Sequence, residues 1–132
     1  MKRAPRWVDK RALLLLHEES LAMFGGASGL RDEGLLDSAL ARPVNLRAYN
    51  PDSTTAQLAA AYGYGIARNH PFVDDNKRAA FLASGLFLSF NGRRLVANPA
   101  DAVETIVALA AGGLEEEAYA EWIRIHSTRT GQ

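Results

Sequence analysis

The sequence predicts an all-α protein: a single helical bundle of about six helices around a buried central helix, with a small β-hairpin or flap at most. Three observations carry this. Apolar residues make up 48% of a 132-residue chain, which suits one core and one domain over residues 1–132. They recur at helical spacing between glycine, proline and asparagine stops. The run Ala79–Phe90 contains no charged residue, as expected of a helix buried among others, because a surface helix keeps a polar back.

Residues 1–8 are basic with an apolar end, Trp7-Val8, and read as a short strand or a clamp on the helical body. Asp9 suits an N-cap, and Leu13, Leu14, Leu16, Leu21 and Phe24 give the first helix an apolar face. Gly25-Gly26 ends it. A second, shorter helix follows Gly29, with Asp32 as cap, Leu35, Leu36, Ala39 and Leu40 on its buried side, and Pro43 expected to stop it. Residues 43–53, rich in proline and asparagine, read as a loop or short hairpin. Thr54 and Gln57 form a capping box for a third helix, which stacks Leu58, Tyr62 and Ile66 and is expected to deliver Arg68 to the loop beyond. The uncharged run is the fourth helix and the expected central pillar. Asn91-Gly92 is a turn, and residues 94–97 read as a short strand pairing with Trp7-Val8. Asn98-Pro99 opens a fifth helix through Val103, Ile106, Val107 and Ala110, and Gly112-Gly113 closes it. The last helix begins near Leu114, carries Glu115, Glu116 and Glu117 in its first turn, and buries Tyr119, Trp122 and Ile123. Residues 127–132 are polar and expected to fray.

Composition narrows the function. Fifteen basic and fifteen acidic residues balance, which argues against a general nucleic-acid or membrane-surface binder. With no cysteine, neither a disulfide framework nor a thiolate metal site exists. No apolar run approaches the roughly 18 residues of a membrane span, and the first residues lack a signal-peptide core. A soluble, cytoplasmic location is expected.

The chemistry concentrates in the stretch from His70 to Arg78. If a helix starts near Asp75 or Asn76, its first free N–H groups face the incoming loop, and Lys77 and Arg78 add positive charge at the same place. Helix N-termini of this kind hold phosphate. A histidine and a carboxylate stand beside it, a combination that suits phosphate chemistry. Imidazole takes a proton from an attacking hydroxyl near neutral pH, the role assigned to His70. Asp74 supplies the carboxylate that magnesium prefers, with nucleotide oxygens and water completing the shell. A zinc site is disfavoured, for His70 and Asp74 alone are too few ligands and no His-Glu-x-x-His pattern occurs. Asn76, Lys77 and Arg78 supply an amide and two cations to a transferring phosphoryl group. Phe72 reads as an apolar anchor, and His17 and His126 as packed or solvent-facing imidazoles.

His70, Phe72, Asp74, Asn76, Lys77 and Arg78 together resemble the signature of the Fic/Doc (Fido) family, His-x-Phe-x-(Asp/Glu)-x-Asn-(Gly/Lys)-(Asn/Arg). The usual Fic form has glycine in place of Lys77 and a second arginine in place of Phe81. Both departures point to the Doc-type (death-on-curing) toxin branch. Softer matches lie at Leu16-His17-Glu18, Phe24-Gly25-Gly26 and Gly29 to Leu36.

The resemblance implies a toxin that moves the γ-phosphoryl group of ATP, with Mg2+, to a hydroxyl of a translation factor, elongation factor Tu, and so arrests translation. In this setting His70, Asp74, Lys77 and Arg78 are catalytic, Asp74 positions the metal, and Asn76, Lys77, Arg78 and Arg68 bind nucleotide. Residues 43–53 correspond to a flap that holds the target. The alternatives are a Fic-type transfer of AMP to a protein hydroxyl and a non-catalytic binding module on the same fold. Lys77 and Phe81 favour phosphoryl transfer, since they alter the place where a diphosphate would otherwise sit. The Ser/Thr-x-x-x-Glu-Gly/Asn segment of self-inhibited relatives is missing, Ser28 to Glu33 being one residue too long. A separate antitoxin chain is therefore the expected partner, with no direct nucleic-acid or membrane binding. Asp75 stands where relatives tend to have glycine or another small residue, and either binds the metal, directly or through water, or points to solvent and lowers activity through its charge.

Overall fold

In the computed structural model, which describes residues 4–130, six helices and a two-stranded sheet follow one another along the chain. They are α1 (Lys10–Phe24), α2 (Glu33–Tyr49), α3 (Thr55–Asn69), α4 (Asn76–Phe90), β1 (Arg93–Leu95), α5 (Pro99–Ala111), α6 (Glu116–Ile125) and β2 (Ser127–Arg129). The caps read from sequence form as expected. Asp9 accepts from Arg11 N–H, Asp32 from Leu35 N–H and Asn98 from Ala100 N–H, and Thr54 and Gln57 close their reciprocal box. Each satisfies donors that a helix start leaves free. No described helix is long and apolar enough to cross a membrane.

The central helix is α3 rather than α4. Ten of the fifteen residues of α3 are buried against six of fifteen in α4, and α2, α4, α5 and α6 all pack on it. Its small residues explain this. A Cβ on Gly65 would stand 3.1 Å from the Ala39 side chain of α2, and one on Gly63 would stand 2.5 Å from Ser84 Oγ of α4 and 2.8 Å from the Tyr119 ring of α6. Glycine lets three helices approach one backbone closely. Above Gly63, the Tyr119 hydroxyl donates to Ser84 Oγ (2.9 Å), which donates to the Ala59 carbonyl (2.8 Å). Burial pushes the Tyr119 phenol up to about 12.

Four further expectations are corrected. Pro43 does not stop α2, which continues to Tyr49 with the proline ring buried inside it. An internal proline costs about 3 kcal/mol of helix propensity, and here packing of the buried turn against α3 outweighs it. The expected loop or flap over 43–53 therefore shrinks to the short connection between Tyr49 and Thr55. Strand β1 pairs antiparallel with β2, Arg94 opposite Thr128, and not with Trp7-Val8. Residues 127–129, expected to fray, are thus tied down, while 131–132 lie outside the described residues.

Trp7-Val8 takes the other expected form, a clamp. Val8 N–H donates to the Tyr62 hydroxyl (2.9 Å), Trp7 stacks on Phe87, and the Arg6 backbone exchanges two hydrogen bonds with the Asn91 side chain. The rest of the basic start, residues 1–3, lies outside the described residues.

Candidate active site

The connection between α3 and α4 carries the motif, and its backbone bends sharply at both ends. His70 caps α3 with φ 50° and ψ 57°, and Asp75 caps α4 with φ 63° and ψ 40°. Each is a left-handed, non-glycine residue, a geometry that costs roughly 1–3 kcal/mol and persists only where neighbours over-determine it. Here they do. Asn76 turns its amide back on the loop, accepting from Phe72 N–H (2.9 Å) and donating to the Phe72 carbonyl (3.0 Å). The Phe72 ring is buried.

The loop between α1 and α2 splints the motif from outside. Arg31 and Asp32 N–H both donate to the Pro71 carbonyl (2.7 and 3.1 Å), Val73 N–H donates to the Gly29 carbonyl (3.0 Å), and Leu30 bridges Phe72 in antiparallel fashion. The Arg31 guanidinium donates to the carbonyls of His70 (2.7 Å) and Asn69 (2.8 Å). From α1, the buried His17 ring stacks on Phe72 at 3.9 Å, and its Nε2 lies 3.0 Å from the Asp74 carbonyl. That carbonyl only accepts, so Nε2 carries the proton.

Sequence reasoning gave neither His17 nor Arg31 a part in the site. The signal for His17 was available: it lies midway between Leu13 and Leu21 at i, i+4, i+8, on the buried stripe of α1. For Arg31, only its place in the softer flanking match offered a hint.

The side chains left over face outward. His70 is exposed, and its ring makes no hydrogen bond to a described residue. The two Asp74 carboxylate oxygens take one backbone N–H each, from Asp75 (2.8 Å) and Ala27 (3.1 Å), which leaves further lone pairs available. The N–H of Ala79 reaches the Asp75 carbonyl (3.0 Å), and those of Asn76, Lys77 and Arg78 at the start of α4 meet no acceptor among the described residues. Lys77 is exposed and pairs with no described acid. Arg78 lies over the Phe24 ring (4.3 Å) with Nε 3.4 Å from Asp75. Asp75 faces Arg78 with its carboxylate partly exposed.

His70 and Asp74 lie on the connection between α3 and α4, and Asn76, Lys77 and Arg78 form the first turn of α4, with the Asn76 amide already committed to the loop. Arg68 is elsewhere. Its guanidinium lies over Tyr64 (5.6 Å) and beside Gly112, in the wall of a cleft of about 730 Å³ between α2, α3 and α6 that no residue from 70 to 78 lines. At the motif itself, a lone carboxylate fits magnesium delivered with phosphate oxygens and water better than a protein-only cage. No group of three or more metal-ligating side chains occurs among the described residues. The first turn of α4 presents N–H donors and two cations that can hold a phosphate, and the loop before it carries a carboxylate and an imidazole that bonds to no described residue and can remove a proton.

Comparison with known proteins places the chain in a family. A family model described as Fic/DOC family matches residues 7–88, which contain both the motif and the splinting loop. The protein kinase doc of Escherichia phage P1 is 29% identical over 119 residues, 90% of this chain and 94% of that protein. The toxin Doc of Mycolicibacterium smegmatis (strain ATCC 700084 / mc(2)155) is 46% identical over 77 residues, 57% of this chain and 58% of that one.

Proposed function

The chain belongs to the Fic/DOC family, and from that premise we propose that it is a Doc-type toxin: a protein kinase that moves the γ-phosphoryl group of ATP to a hydroxyl of elongation factor Tu and so arrests translation. The observation that carries this reading is the exposed His70 imidazole, which bonds to no described residue, at the start of the short loop that leads to the N-terminus of α4, where no side chain caps the helix. Support comes from the kinase of phage P1, which the chain covers over 94% of its length.

In this reading His70 accepts the proton of the target hydroxyl as its oxygen bonds to the γ-phosphorus. The bond from that phosphorus to the bridging oxygen of the β-phosphate breaks, and ADP leaves with the electron pair. The N–H groups of Asn76, Lys77 and Arg78 and the two cationic side chains hold the phosphate oxygens, an electrostatic contribution that grows where water is excluded. Asp74 would hold magnesium, which would neutralise charge on the phosphates. Arg78 must exchange Asp75 for phosphate, which a partly exposed pair permits. A separate antitoxin covers this face until it is removed, and the reaction takes place in the cytoplasm.

Expression in a bacterial host tests the reading. Wild type is expected to arrest growth with phosphorylated elongation factor Tu detectable by mass spectrometry, and His70→Ala to do neither. Arrest without modification of that factor would contradict the assigned target.

A further inference from the structure

We propose that Arg31, on the α1–α2 loop, is a positioning residue that fixes the His70 imidazole through the main chain; this rests on the reading of His70 as the base. The His70 ring is exposed and makes no hydrogen bond to a described residue. Its place therefore follows from the backbone beneath it, and that backbone sits at φ 50°, a region few side chains adopt.

The torsions φ and ψ of His70 are set by the two peptide planes that flank its Cα. The carbonyl of one plane belongs to Asn69 and that of the other to His70. Arg31 grips both, Nη2 donating to Asn69 (2.8 Å) and Nε to His70 (2.7 Å). A guanidinium is rigid and planar, so one fork holding two successive carbonyls restrains both torsions together.

The fork is itself anchored. Arg31 N–H donates to the Pro71 carbonyl at 2.7 Å, immediately beyond His70. Arg31 makes no ion pair with a described carboxylate; its donors serve the α3 terminus instead, where helical carbonyls lack partners. A lysine offers no such fork, since its ammonium is a compact point charge on a flexible stem.

A cap that serves stability alone and a residue that positions the base make different demands. If Arg31 only caps α3, its loss lowers the melting temperature but leaves the geometry of His70 and the turnover of the folded protein as they are. If it positions His70, turnover falls while ATP binding holds, because the cations and N–H donors of α4 are untouched.

The test compares the full-length wild type with Arg31→Ala and Arg31→Lys, measuring ATP affinity, turnover of phosphoryl transfer, and the backbone coupling and Cα shift of His70 by NMR. Expected are unchanged ATP affinity, a turnover loss of about 10- to 100-fold in Arg31→Ala, and a smaller loss in Arg31→Lys. Millimolar guanidinium should partly restore Arg31→Ala and leave wild type unaffected. The His70 signals should leave the positive-φ range in Arg31→Ala.

Turnover near wild type, or unchanged His70 signals in a folded Arg31→Ala, would overturn the proposal. Should Arg31→Ala not fold, the Arg31→Lys turnover and His70 signals decide the matter in the same way. If wild type itself transfers no phosphoryl group, the reading of His70 as a base fails, and the NMR comparison alone then judges the role of Arg31.

Discussion

Asp75 occupies a left-handed position (φ 63°) that glycine fills without strain, and it directs its carboxylate at Arg78. Replacing it with glycine removes the strain, releases Arg78 and takes a negative charge from the phosphate site. Asp75→Gly is expected to bind ATP about two- to fivefold more tightly, the range that a partly exposed ion pair of this kind allows. A calorimetric titration at fixed magnesium checks it, and weaker binding would make Asp75 a contributor to the site. Lys77, exposed and unpaired with described acids, is expected to bias the reaction: Lys77→Gly should admit some AMP transfer, read as α-label on the target. Unchanged γ-specificity and rate would show that Lys77 has no such role. The charged residues of the motif were legible in the sequence because their order is unusual. Their partners were not, because the contacts of His17 with Asp74 and of Arg31 with His70 join residues far apart in the chain.

At the scale of elements, periodicity and caps placed every helix, and the errors arose where tertiary packing overrode a local rule. Pro43 is the plainest instance, since nothing in the neighbouring residues says that α3 will receive its buried turn. The other is α3 itself, whose run of alanine and glycine looks unremarkable until small size is read as close approach. Gly63→Ala places a methyl group against Ser84 and Tyr119, and should destabilise the protein by about 1–3 kcal/mol, measurable by urea denaturation. The same contact gives a pH dependence. Tyr119 has its phenol pushed up to about 12 from an ordinary value of 10.0, so the native state keeps a proton that the unfolded state gives up. Its contribution to stability is whole below about pH 10 and is lost as pH rises towards 12. The alkaline decline should be shallower in Tyr119→Phe, and an equal slope in both would contradict the assignment.

Across the whole molecule, the loop between α3 and α4 and the first turn of α4 hold the candidate chemistry, and the rest of the fold fixes their shape. Helix α3 delivers His70, α4 presents its free N-terminus, and α1 with the following loop splints the turn between them. The fold class was legible because six amphipathic or apolar segments separated by clear stops leave few other arrangements. The pairing of β1 with β2 was not, since two three-residue strands carry almost no pattern of their own. The central claim is that this loop catalyses phosphoryl transfer with His70 as base. Purified wild type and His70→Ala, incubated with elongation factor Tu, magnesium and ATP labelled at either the γ- or the α-phosphate, test it most directly. Wild type should transfer γ-label and no α-label, and His70→Ala should fall by about 10²- to 10⁴-fold, as for loss of a general base. Transfer of α-label by wild type, or γ-transfer at full rate by His70→Ala, would contradict it.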